Sequence, residues 1–189
     1  PMKQLPCTII IVIVLMCSHT LFAQNVIYND VRFDSTKLIV TISITDVKTY
    51  DILEALKRGL EGRIEYVVEI VENPVLPLLP KNVIKTITVK KKVKFDFFKK
   101  AYIVSRSHVP TLYYSDESII EELFNNQQIV IDNAYALRRS KYSIRIRVSF
   151  SSVKLYFPLN LIFNYIVGIW DFDTDWEYGP KLVGIPYAE

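Results

Sequence analysis

At 189 residues, half of them apolar, the chain has the length and composition to bury one core of ordinary domain size. A formal net charge of +3 is too small to argue for nucleic acid as a partner. The two cysteines, Cys7 and Cys17, both lie before residue 24, so the rest of the chain has no disulfide and no thiol chemistry.

Met2 reads as the start, followed by Lys3. An unbroken apolar run goes from Ile9 to Cys17, and Leu21-Phe22-Ala23 precedes Gln24. Charge, apolar stretch and small residue in that order predict a secretory signal over residues 1–23, cut after Ala23. The apolar run is short of the roughly 20 residues that span a bilayer. Two alternatives compete: retention as an uncleaved anchor, which the large Leu21 near the cut favours, and lipidation at Cys17, which Met16 disfavours. Cleavage leaves one strand-rich domain, residues 24–189, with only Lys3 lost and a net charge of +2. An exported domain without disulfides is held by packing alone.

Val26 to Phe33 and Leu38 to Thr45 predict two strands joined through Asp34-Ser35-Thr36. Leu38, Val40, Ile42 and Ile44 share one face of the second. Tyr50, Leu53, Leu56 and Leu60 recur at helical spacing, with Asp46 or Thr49 as the expected cap and Gly59 and Gly62 as the stop. Arg63 to Val71 predicts a strand with Ile64, Tyr66, Val68 and Ile70 on one face. Pro74, Pro77 and Pro80 mark a loop. A long strand follows over about Val83 to Phe97, a second begins near Ala101, and Pro110 marks a break. Ser115-Asp116 opens a short helix carrying Ile119, Ile120, Leu123 and Phe124, and Asn125-Asn126 ends it. Tyr142 to Phe150 alternates most clearly of all. Pro158 to Val167 predicts a short apolar helix or turn, and Trp170 to Glu177 a closing strand. Strands in pairs or runs, with single helices between, predict an α+β domain: a mainly antiparallel, sandwich-like sheet with two or three short helices.

Ala55-Leu56-Lys57-Arg58-Gly59-Leu60 before a strand, the paired long strands, the short acidic helix, Tyr142 to Phe150, Phe157-Pro158-Leu159 and the closing Trp170 and Trp176 follow one another in an order that resembles the exported bacterial proteins of "domain of unknown function 4390". The resemblance covers about residues 26–178. It implies an exported location and supplies no activity and no site residues.

Three constellations stand out. Asp171, Asp173 and Asp175 have the one-three-five spacing of a calcium loop, but Trp176 stands where such a loop needs Gly and Leu182 where it needs Glu. On a strand the same run puts Trp170, Phe172, Thr174 and Trp176 on a core face and the acids in solvent. Lys85, Lys90, Lys91, Lys92, Lys94, Lys99 and Lys100 interleave with Val93, Phe95, Phe97 and Phe98, a pattern that suits an acidic partner or anionic lipid, and suits better the blunting of a strand edge by lysine. Leu159 to Val167 is apolar nearly all round, as a buried segment is, or a partner or lipid contact if exposed.

Catalysis has little to work with. His108 is the only histidine after the signal, which excludes His-rich zinc sites and a Cys–His pair. No nucleophile elbow and no glycine-rich phosphate loop occurs. The composition therefore favours a non-enzymatic envelope protein without a cofactor, binding an envelope or membrane-bound protein through Lys90, Lys91, Lys92, Lys94, Trp170 and Trp176. A carrier of lipid or another apolar ligand is the rival reading, and a metal hydrolase using Asp171, Asp173 and Asp175 the third.

Overall fold

The computed structural model describes residues 24–74, 80–107, 109–134, 137, 141–152, 171–183 and 185. The predicted first hairpin forms from β1 (Asn25–Asp34) and β2 (Lys37–Thr45), which pair antiparallel from Asn25↔Thr45 to Asp34↔Lys37. Only Ser35 and Thr36 are left for the turn, and Ser35 takes a left-handed φ of 53°. A positive φ in so short a loop matches the twist of the flanking strands. Leu38, Val40, Ile42 and Ile44 are all buried, as their alternation predicts.

Helix α1 (Thr49–Lys57) follows. Its buried face is Ile52, Leu53, Ala55 and Leu56, which corrects the expected stripe: Tyr50 is 74% exposed and Leu60 lies beyond the helix. The reason is the early stop. Gly59 adopts φ +91°, the Gly59 N–H donates to the Leu56 carbonyl, and the Leu60 N–H donates to the Ala55 carbonyl. That is the Schellman ending, which needs glycine at the left-handed position. Neither Asp46 nor Thr49 caps the start; Lys48 holds that position with no side-chain hydrogen bond. Gly62 stops nothing, because it opens β3.

The larger sheet is built from β3 (Gly62–Glu72), β4 (Asn82–Asp96), β5 (Ala101–Arg106), β6 (Val109–Tyr113), β8 (Tyr142–Ser152), β9 (Phe172–Asp173) and β10 (Glu177–Lys181). Its order is β10-β8-β3-β4-β5-β6, with β9 also paired to β8. The smaller sheet is β1-β2-β7, with β7 (Gln127–Ile131) a strand that the sequence analysis did not anticipate. Every pairing is antiparallel. Two helices are present among the described residues, α1 and α2 (Asp116–Phe124). The third expected helix, over 158–167, lies outside them. No helix among the described residues is long and apolar enough to cross a membrane.

Two further expectations need correction. Pro110 does not break the chain but sits within β6, paired with Ser105. Strand β6 is the last in the sheet, where a missing N–H is tolerated. The stretch to Glu177 is not one strand: β9 and β10 are separated by 174–176.

One core joins the layers. Phe33, Val40 and Ile42 of the small sheet, Tyr66, Ile144 and Val148 of the large one, Ile52 of α1 and Ile119 of α2 belong to a single buried cluster. Burying each such side chain contributes roughly 1.5–3 kcal/mol. Polar contacts fix the register between layers. The Ser115 hydroxyl caps α2 by accepting from the Ser118 N–H at 3.2 Å. Asp116 then accepts from Lys57 of α1 at 2.7 Å and from the Tyr102 hydroxyl of β5 at 2.6 Å. The Tyr28 hydroxyl donates to the Glu177 carbonyl at 2.8 Å, tying β1 to β10.

Gly62 shows how tightly the centre is packed. A Cβ there would lie 2.5 Å from Phe150 Cζ and 3.0 Å from Val93 Cγ1. The Phe150 ring cannot retreat easily, since it stacks on Phe172 at 6.0 Å and lies 6.2 Å from Phe124. Gly62→Ala should therefore cost about 1–3 kcal/mol in urea unfolding, and less in a Phe150→Leu background. An equal cost in both backgrounds would place the strain elsewhere. A second test concerns acid. The hydrogen bonds from Lys57 and then Tyr102 hold the Asp116 carboxyl below its ordinary value of 3.8. A carboxyl lowered by folding stabilises above its unfolded-state value, and that contribution disappears as pH falls through the folded-state value. Asp116→Asn should lower the melting temperature at pH 7 and make its decline below about pH 4 shallower, as acid-range melting curves would record.

Candidate functional site: the outer face of the large sheet

Period-two alternation decides what the large sheet shows to solvent. On β3, Ile64, Tyr66, Val68 and Ile70 point to the core, so Arg63, Glu65, Val67 and Glu69 point outward. Register carries this onto β4. Lys91 lies opposite Ile64, whereas Lys90 lies opposite Glu65 and Lys92 opposite Arg63. The lysine run is thus divided between the two faces. Lys90, Lys92 and Lys94 are exposed, and Lys91 is only 5% exposed.

Lys91 is a structural residue. Its Nζ donates to the Glu122 carbonyl at 2.8 Å, to Glu122 Oε1 at 2.6 Å and to Gln127 Oε1 at 2.6 Å. It fastens β4 to the last turn of α2 and the start of β7. Burial lowers its pKa, against which the Glu122 carboxylate acts. The same carboxylate meets Tyr113, whose hydroxyl is pushed up to about 12, first by burial and then by this hydrogen bond. Lys91 therefore does not belong to a partner surface with Lys90 and Lys92. Lys91 and Lys92 guard no sheet edge, because Lys91 to Val93 pair with β5 on one side and β3 on the other, whereas Lys90 lies beyond the β5 ladder and Lys94 beyond the β3 ladder.

The outward residues surround a cleft of about 360 Å³ lined by Arg63, Lys90, Lys92, Ser105 and Ser107. A smaller one of about 120 Å³ adjoins it, lined by Glu61, Lys92, Val93, Lys94, Ile103 and Ser105. Lys90 pairs with Glu65 at 3.0 Å. Further along the face the charges are matched: Arg145 with Glu69 at 2.6 Å, and Arg147 with Asp173. Around Arg63, Lys92 and Lys94 they are not. No carboxylate among the described residues reaches ion-pair distance of these three.

Trp176 is at the far end of the sheet, with the Arg145 guanidinium 4.3 Å from its ring centre. Arg145 also reaches the Tyr178 hydroxyl, which this contact and the charge of Lys81 hold below its ordinary value. Trp176 is therefore not brought together with the lysines. Trp170, His108 and the apolar segment 159–167 lie outside the described residues. Of the acidic run, Asp171 accepts from the Ser152 N–H at 2.7 Å and Asp173 is engaged by Arg147. Among the described residues no three His, Cys, Asp or Glu side chains gather as a metal-holding group, these three included.

Arg63, Ser105 and Ser107 escaped the sequence analysis. Arg63 comes from β3, Ser105 from β5 and Ser107 from the turn after it, and the register of β3 and β5 on β4 brings them beside Lys92. No family model, no curated protein and no solved structure matches the chain.

The division of the lysine run is testable by urea unfolding. Lys91→Ala should cost about 2–3 kcal/mol, since it leaves Gln127 and Glu122 without their cation. Lys92→Ala should stay within about 0.5 kcal/mol of the parent. Equal costs would show that the two side chains do not face opposite ways.

Proposed function

We propose that the chain is an exported envelope or periplasmic protein acting as a non-enzymatic interaction module, which docks an acidic partner on the outer face of its larger sheet. The observation that carries this is the group Arg63, Lys92 and Lys94, exposed side by side with no carboxylate at ion-pair distance among the described residues and Glu61 the one acid that shares a cleft with them. Uncompensated charge of one sign on an open face steers and orients a partner of the other sign. The signal-like segment before residue 24 and the resemblance to exported proteins support the location, and an envelope or membrane-bound protein is the partner class that goes with it. We take the two sheets, which share one core, as the layers of an α+β sandwich that presents this face.

The rival, a carrier of an apolar ligand, has one observation in its favour. A cleft of about 470 Å³ between β1 and β10 is lined in part by Val31, Val183 and Ile185. Asp30 and Lys181 share that lining, which makes it a poor match for a hydrocarbon chain.

The test is recovery of partners from envelope extracts by the tagged full chain. Lys92→Glu with Lys94→Glu should reduce recovery at least about tenfold at low salt, and about 0.5 M salt should weaken the parent similarly. Undiminished recovery by the double variant would remove this face as the docking surface. A lipid-sized extra mass on the protein in native mass spectrometry would favour the carrier instead.

A further inference from the structure

Within that face, we propose that Arg63, Lys92, Ser105 and Ser107 form a binding site for the phosphate group of a phosphomonoester. The inference rests on the reading of the outer face as the contact surface and adds the chemistry of what its central cleft takes.

The argument starts from an arrangement that is unfavourable without a ligand. Arg63 and Lys92 are direct partners across the β3–β4 ladder. Side chains so placed on one face start about 5 Å apart, and like charges there destabilise the pair. Lys90 and Lys94 flank Lys92 two residues away on the same face, adding to the repulsion. Two acids lie beside this group: Glu65 is occupied by Lys90 at 3.0 Å, and Glu61, which lines the adjoining cleft with Lys92 and Lys94, makes no ion pair with them. Elsewhere on the same face Arg145 and Arg147 each have their own carboxylate, so the sheet does supply acids to its cations. At Arg63 and Lys92 it supplies none among the described residues.

What it supplies instead is donors. Ser105 lies opposite Lys92 on β5, and Ser107 follows at the turn into β6. Neither hydroxyl has a hydrogen-bond partner among the described residues. A guanidinium fork, the free ammonium of Lys92, the Glu65-paired ammonium of Lys90 and two hydroxyls therefore line one cleft, and no acid does. A tetrahedral oxyanion fits this set better than a planar carboxylate does. It carries close to two negative charges at neutral pH and presents oxygens in several directions at once. The volume of about 360 Å³ exceeds what the oxyanion fills and leaves room for an attached organic group. A soluble phosphomonoester and the headgroup of a phospholipid share this chemistry.

The experiment is an isotope-edited NMR titration of the full chain at low ionic strength, with inorganic phosphate and then glycerol phosphate. Flotation with phosphatidylcholine vesicles, with and without phosphatidic acid, runs beside it. Saturable shifts at Arg63, Lys92, Ser105 and Ser107 are expected. Arg63→Gln and Lys92→Gln should each weaken phosphate about tenfold, and Lys94→Gln less than about threefold. Melting curves establish that the variants are folded. Flotation that needs phosphatidic acid and is lost in Arg63→Gln assigns the headgroup. Glycerol phosphate binding without flotation assigns a soluble ester. Shifts that never saturate, or equal losses in all three variants, overturn the site as diffuse attraction. Recovery of the protein partner is measured on the same variants. If the parent chain recovers a partner but binds no phosphate, only the oxyanion site falls. If it does neither, the docking surface falls with it.

Discussion

The double ladder of β3 is the constraint on which the rest of the structure depends. Residues from Gly62 to Glu72 pair with β4 on one side and with β8 on the other. A strand held on both sides cannot slip by one residue without turning its whole apolar face to solvent. Ile64, Tyr66, Val68 and Ile70 therefore fix the facing of three strands at once, and with it the outward set Arg63, Glu65, Glu69, Lys90, Lys92, Arg145 and Arg147. Gly62 lets this ladder begin where it does. The Phe150 ring lies over it, and a side chain at that point would force ring and strand apart.

The helices are attached to this frame by apolar contact, and polar contacts fix where they sit. Asp116 gathers Lys57 of α1 and Tyr102 of β5, so one carboxylate locates three elements. Lys91 does the same from inside, holding the carbonyl and carboxylate of Glu122 and the amide of Gln127. A buried ammonium is costly unless every proton has an acceptor. Here three acceptors lie within 2.8 Å, which makes the group specific to one placement of α2 against β4. Tyr66 adds to that placement by donating its hydroxyl to the Leu123 carbonyl in the same last turn.

Much of this frame was legible in the sequence because it rests on period two. The strands around Leu38, Ile64 and Ile144 alternate cleanly, and each forms where the pattern puts it. What was not legible depends on pairing. The helical stripe through Tyr50 and Leu60 looked sound, yet Gly59 ends α1 too early for Leu60 to join it. Strand β7 was missed because Gln127 to Ile131 is short and alternates over only five residues. Pro110 reads as a breaker until β6 proves to be the outermost strand. The lysine run is the sharpest case. Its composition suggests one basic patch, but adjacent strand residues face opposite ways, so Lys91 and Lys92 have opposite roles. Nothing local marks Arg63 or Ser105 as neighbours of Lys92, since their proximity is a property of the register.

The same ladder treats its cations in two ways, and the contrast is informative. A sheet selected only for stability would place an acid opposite Lys92, as Glu65 stands opposite Lys90 and Glu69 opposite Arg145. Cross-strand pairs of opposite charge are worth up to about 1 kcal/mol each, and a single substitution at residue 63 would create one. Instead residue 63 is an arginine facing a lysine, with the Ser105 hydroxyl on the next strand and the Ser107 hydroxyl in the turn after it lacking hydrogen-bond partners among the described residues. Local conflict of this kind, set in a frame that is otherwise consistent from pattern to packing, is where a fold gives up stability for binding. The position of the conflict, on the open face and away from the core, limits its cost to the screened repulsion of exposed charges. That is a small penalty for a domain with so continuous a core, and it leaves the cations poised for an anion from outside the chain.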